Sequence, residues 1–171
     1  LCSALLDADR LDAAIFGDLA FQRIRPNSSI TDWIPAIEKL EQHIAGFTKS
    51  NPVDEIRAEI SRHCLDFSCR EKGLYQLTVP TGGGKTLASL RFAMHHAKSH
   101  NLNRIFYIIP YTSIIDQNAA VVRSILDDDS NDPPFVLEHH ANLTPGKCTW
   151  QAKILAGNWD APIVLPTAVP L

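Results

Sequence analysis

The sequence predicts an α/β fold built on a parallel sheet, and three observations carry that expectation. From Leu74 onward short apolar runs alternate with helical patterns, and the run Arg104–Ile109 is apolar almost throughout. Three successive glycines, Gly82, Gly83 and Gly84, stand between a strand pattern and a helix pattern. Strands alternating with helices give parallel sheets, and a nearly continuous apolar run is how a strand buried on both faces reads.

The elements follow in order. Ser3–Phe16 reads as a helix ended by Gly17. Residues placed about 100° apart gather Leu5, Ala8, Ile15 and Phe16 on one face, and Asp9 and Asp12 fall on that same face. Pro26, Asn27, Ser28 and Ser29 make a linker. Ile34, Ile37, Leu40, Glu41 and Ile44 outline a second helix, capped near Thr31 and closed by Gly46, with Pro35 tolerated in its first turn. Val53, Ile56, Ile60, Cys64 and Phe67 mark a third. Beyond them come a strand at Leu74–Val79, a helix at Lys85–Lys98, the strand Arg104–Ile109 and a helix at Ser113–Leu126. A turn-rich stretch, Asp127–Pro134, then leads to a strand at Phe135–Leu137, a helix near Trp150–Leu155 and a strand at Ile163–Leu165.

The bulk composition narrows the function classes. A chain of 171 residues with 45% apolar and 20% charged content suits one compact soluble domain. No stretch approaches the roughly 20 apolar residues of a membrane span, and the N-terminus has no basic region ahead of an apolar one, as a leader would. The first residue is Leu1 rather than Met, so a piece of a longer protein is expected. A net charge of −3 gives no broad electrostatic footprint for nucleic acid. The four cysteines show no pairing at zinc spacing, which predicts reduced thiols and a cytoplasmic protein.

Pro80-Thr81-Gly82-Gly83-Gly84-Lys85-Thr86, between strand and helix patterns, is a Walker A match in the context that the motif requires. Glycines let backbone N–H groups turn inward around phosphate oxygens with no Cβ in the way, and the helix that follows offers its positive end to the same anion. Lys85 then supplies a charge for the β- and γ-phosphates of ATP, and the Thr86 hydroxyl a ligand for Mg²⁺. The strict pattern has a glycine where this chain has Val79.

Other residues invite chemistry. His96 and His100 stand four apart on a helix, a spacing able to grip a metal, but no third ligand accompanies them and a solvated helix face is expected. Glu138 ends an apolar run as a Walker B acid would, yet it is a single acid after a very short strand and that role is not assigned to it. No role follows for His139 and His140.

The loop Leu77–Thr86 together with Tyr107-Ile-Ile-Pro-Tyr-Thr-Ser-Ile-Ile-Asp-Gln117, Val136-Leu-Glu-His-His140 and Trp159-Asp-Ala-Pro-Ile-Val164 resembles the CRISPR-associated helicase-nuclease of type I systems. In that family an HD-type nuclease precedes a superfamily 2 helicase with two RecA-like lobes. The resemblance implies a C-terminal remnant of the nuclease at residues 1–30, a helical connector at 31–72, and the N-terminal part of a RecA-like first lobe at 73–171. It implies that Thr112 and Gln117, in the region of motif Ia, touch single-stranded DNA, with Pro110 and Tyr111 beside them. It further implies that Asp9, in Ala8-Asp9-Arg10-Leu11, is a ligand of the nuclease's divalent transition metal, with Asp12 as a competitor. Thr167 falls at a DNA-contacting threonine motif, from which Pro166 and Pro170 depart. An RNA-guided CRISPR surveillance complex would be the partner. The remaining nuclease motifs would precede this chain and the Asp-Glu box and second lobe would follow it, so nucleotide binding without turnover is expected of this piece. Two other readings stay open, a small P-loop kinase or other NTPase, and a degenerate non-enzymatic remnant.

Overall fold

A computed structural model describes residues 31–48, 50–109, 112–127, 134–139 and 161–166, with all of their side chains except those of residues 112–116 and 139. The helices expected at Ser3–Phe16 and Trp150–Leu155, and with them Asp9, Asp12, His140 and Thr167, lie outside the described residues.

The order is α1 (Ile34–Ala45), α2 (Pro52–Phe67), α3 (Lys85–Ser99), β1 (Ile105–Phe106), α4 (Thr112–Leu126), β2 (Val136–His139) and β3 (Ile163–Pro166). The three strands form one parallel sheet in the order β1-β3-β2, with Ile105 opposite Ile163 and Val136 also opposite Ile163. This is a mixed α/β architecture of the kind expected for part of a RecA-like lobe. Central β3 is buried at all four positions, as its unbroken Ile-Val-Leu-Pro run requires. The ladder between β1 and β3 continues past the short β1, because the N–H of Tyr107 donates to Val164 O at 2.8 Å and that of Ile109 to Pro166 O at 3.3 Å.

One core joins the sheet to three helices. Trp33, Ile37 and Leu40 from the α1 region meet Leu90 and Met94 of α3, Val122 and Ile125 of α4, and Val136, Ile163 and Leu165 of the sheet. Trp33 is 2% exposed, meets Phe135 edge-on at 5.7 Å, and donates its indole N–H to Leu102 O at 2.7 Å, so its polar handle is satisfied. Leu102 is held for that contact by the end of α3. Asn101 takes a left-handed φ of 52°, and the N–H of Leu102 returns to Ala97 O at 2.8 Å, the Schellman arrangement that stops a helix.

Three expectations need correction. The cap expected near Thr31 is not made, because Trp33 stands at the N-cap position of α1 with no capping side-chain bond. Asp32 Oδ1 accepts the Ile34 N–H at 3.0 Å, while the Thr31 hydroxyl donates to Asn103 O at 2.7 Å. The strand expected at Leu74–Val79 does not form, and Leu74 and Leu77 stand exposed. Its Tyr75 ring packs on Phe92 and His96 instead. The third helix forms, but only part of its expected apolar stripe packs. Val53, Ile56 and Phe67 are exposed, while Ser61 and Cys64 are buried against α3.

Candidate functional site

The loop Thr81–Gly84 turns sharply ahead of α3. Gly82 and Gly84 have φ of 81° and 76°, conformations that only glycine adopts without strain. The Gly83 N–H closes the turn on Pro80 O at 3.1 Å, and a Cβ at Gly83 would lie 2.3 Å from Val79 Cγ1. Each of the three glycines therefore has its own reason to be there. Val79, where the strict motif has glycine, is the buried side chain against which Gly83 fits.

Gly84 caps α3 and accepts its first helical bond from Ala88 at 3.1 Å, leaving the N–H groups of Lys85, Thr86 and Leu87 without an acceptor inside the helix. Such orphan donors at the positive end of a helix suit an anion. Lys85 and Thr86 open α3, side by side. Lys85 is exposed and has no ion-pair or hydrogen-bond partner among the described residues. The Thr86 hydroxyl donates to Asn118 Oδ1 of α4 at 2.8 Å, which orients its oxygen.

Gly82, Gly84, Lys85 and Thr86 line one end of a cavity of about 700 Å³. Its other walls are Ile44, Phe47 and Thr48 at the end of α1, Asp54, Arg57 and Ser61 of α2, and Arg91 of α3. Three cations, Lys85, Arg57 and Arg91, face this space with Asp54 as the one acid among its lining residues. The cavity thus brings the glycine loop and the start of α3 together with the apolar side chains of Ile44 and Phe47.

Polar contacts between helices build the cavity wall, and the sequence reading missed most of them. Arg91 forks onto Glu41 of α1, at 2.7 Å from Nε and 2.5 Å from Nη2, and donates from Nη1 to Ser61 of α2 at 3.1 Å. His95 adds a contact to Glu41 at 3.0 Å. Burial works to raise the Glu41 pKa, but hydrogen bonds from Arg91 and His95 and their charges outweigh it and hold the carboxyl below its ordinary value. The signal was present, because Glu41 sits inside the apolar stripe of Ile37, Leu40 and Ile44, where an acid needs a partner. Burial alone pushes the nearby Cys64 thiol up, against the Arg91 charge.

The remaining candidates divide. Thr112 begins α4, and Gln117 is exposed one turn later on the same helix. Both follow the end of the β1 ladder, as the loop Thr81–Gly84 does not, so the structure places them on a different element from the cradle. His96 and His100 are not a solvated face. Their rings lie 4.3 Å apart and bond to the carbonyls of Ser68 at 2.8 Å and Arg70 at 2.7 Å, tying the end of α2 to α3. Among the described residues no group of three or more potential ligands could hold a metal ion. Glu138 pairs with Arg123 at 2.8 Å. Cys64 and Cys69 are free thiols. No described helix is long and apolar enough to cross a membrane.

A family model described as type III restriction enzyme, res subunit, matches residues 34–155, a span that takes in α1, the glycine loop, α3 and α4. No curated protein was found to match the chain.

Proposed function

Since the chain belongs to the family of the type III restriction enzyme res subunit, a superfamily 2 helicase-like domain, we propose that it is the nucleotide-binding portion of an ATP-dependent enzyme that moves on nucleic acid. The observation that carries this reading is the glycine loop itself, with positive φ at Gly82 and Gly84, opening α3 beside a cavity of about 700 Å³. Thr81, Gly82, Gly83 and Gly84 would wrap the phosphates, Lys85 would neutralise them, and Thr86 would hold Mg²⁺ bound with ATP. The metal's contribution is to offset phosphate charge, and the chain's own part is to orient the phosphates at the end of α3.

The finer reading rests on the resemblance. It takes residues 1–30, 31–72 and 73–171 as nuclease remnant, connector and partial first lobe of a cytoplasmic CRISPR helicase-nuclease. Asp9 would ligate a transition metal, Thr112 and Gln117 would contact single-stranded DNA, and an RNA-guided complex would deliver that DNA.

Isothermal calorimetry with ADP·Mg²⁺ and ATP·Mg²⁺ tests the core of the proposal. Binding should be measurable and should weaken about tenfold or more in Lys85→Ala, the loss of one charged hydrogen-bonding partner. Equal affinity in wild type and Lys85→Ala would remove the site.

A further inference from the structure

We propose that Arg57, on α2, is a positioning residue for the phosphate loop, acting through a hydrogen bond to the loop's backbone rather than through its charge on the nucleotide. The inference deepens the nucleotide-binding reading above and rests on it.

The contacts are few and specific. Arg57 Nε donates to Gly82 O at 2.8 Å, and Nη1 meets Asp54 Oδ1 at 3.2 Å. The aliphatic stem runs past Gly84, where Arg57 Cγ would lie 3.5 Å from a Cβ. One side chain thus bonds to Gly82 and fills the space that a side chain at Gly84 would need. A phosphate cradle needs its N–H groups inward and its carbonyls outward, and glycine peptides flip readily between the two. A donor held on the Gly82 carbonyl pins the Gly82–Gly83 peptide from one side, while its N–H, closed on Pro80 O, pins it from the other. This fixes the turn from which the N–H groups of Lys85 and Thr86 are presented.

The donor is itself held. Asp54 stands in the first turn of α2, where its N–H donates to the Asn51 cap at 3.0 Å and its Oδ2 accepts the Ser50 N–H at 3.3 Å. With Oδ1 turned to Arg57, a capped helix end becomes a mount for the guanidinium. The chain of contacts runs from Ser50 and Asn51 through Asp54 and Arg57 to the loop, and α2 lends the loop a rigidity that its own glycines lack.

Side-chain geometry gives a test that separates hydrogen bond from charge. Gln carries an N–H donor the same number of bonds from Cα as Arg Nε, without charge. Met keeps the length and the packing on Gly84 without the donor. Lys keeps the charge but carries methylene where Nε stood. Affinity for ADP·Mg²⁺ should stay close to wild type in Arg57→Gln and fall about tenfold in Arg57→Met, with Arg57→Lys near Met. Amide resonances of Gly82, Gly83 and Gly84, recorded without nucleotide, should move in Arg57→Met and hold in Arg57→Gln, while the melting temperature changes little for any of the three.

Affinity that follows charge, with Lys near wild type and Gln as weak as Met, would overturn the positioning role and make Arg57 a phosphate contact. Loop amides unmoved in Arg57→Met would overturn it as well. The two failures are distinguishable, because a chain that binds no nucleotide in any form removes the binding site, whereas the ligand-free amide shifts report on the brace alone.

Discussion

Helices α2 and α3 lie side by side with similar length and comparably regular apolar spacing, yet they use it differently. Helix α3 buries Leu90 and Met94 completely in the core shared with the sheet. In α2 only Cys64 of the expected stripe is buried, Ile56 is 52% exposed, and Ser61 and Arg57 turn to α3 and the loop ahead of it. What joins the two helices is largely polar: Arg91 to Ser61, and His96 of α3 with His100 just past its end to the carbonyls past the end of α2. Apolar periodicity therefore identifies both helices but selects the packed face only in α3. In α2 the partners of individual polar groups decide, and the same polar face supplies the cavity wall.

The largest expected effect is in the core. Leu90→Ala or Met94→Ala should cost about 2–5 kcal/mol in chemical denaturation, whereas Ile56→Ala should stay within about 0.5 kcal/mol. Equal costs would mean that the α2 stripe packs as the α3 face does. A smaller loss, about 1–3 kcal/mol, is expected for Glu41→Gln, which leaves Arg91 without its carboxylate while 13% exposed. Its pH dependence has a definite sign. The folded pKa of Glu41 lies below its ordinary 4.5, so its contribution is full above that value and is lost as pH falls through the lowered one. The gap in stability between wild type and Glu41→Gln should accordingly be full near neutral pH and close only in acid below 4.5, and a gap already closed above 4.5 would contradict the paired carboxylate. The smallest effects belong to the seam between the helices. His96→Ala and His100→Ala should each cost about 1 kcal/mol, read by denaturation, and should speed hydrogen exchange at the C-terminal turn of α2 more than in the sheet.

Much of this arrangement was legible in the residues, and where it was not the reason is physical. The glycine loop was legible because a sharp turn into a helix restricts residue type at consecutive positions, and Gly82 and Gly84 take the positive φ that such a turn needs. The parallel strands at Phe135–Leu137 and Ile163–Leu165 were legible as apolar runs, and the structure carries them on to His139 and Pro166. Leu74–Val79 misled because strand character in a sequence is local, whereas pairing into a sheet is not. The exposure of Val53, Ile56 and Phe67 was hidden for a related reason, since with Ile60 and Cys64 they carry the spacing of a buried stripe. Arg57 gave no signal at all. Its role comes from a carbonyl 25 residues away, and no local pattern encodes that meeting.

The central claim is that Gly82 to Thr86 forms a phosphate site at the end of α3. Titration of the ¹⁵N-labelled chain with ADP·Mg²⁺, following backbone amides, tests it most directly. The account expects the largest shifts at Gly82, Gly84, Lys85 and Thr86, smaller ones at the cavity residues Phe47 and Thr48, and none beyond baseline for Gln117 on the exposed side of α4. Saturable shifts centred away from the loop, or none at millimolar nucleotide, would contradict it.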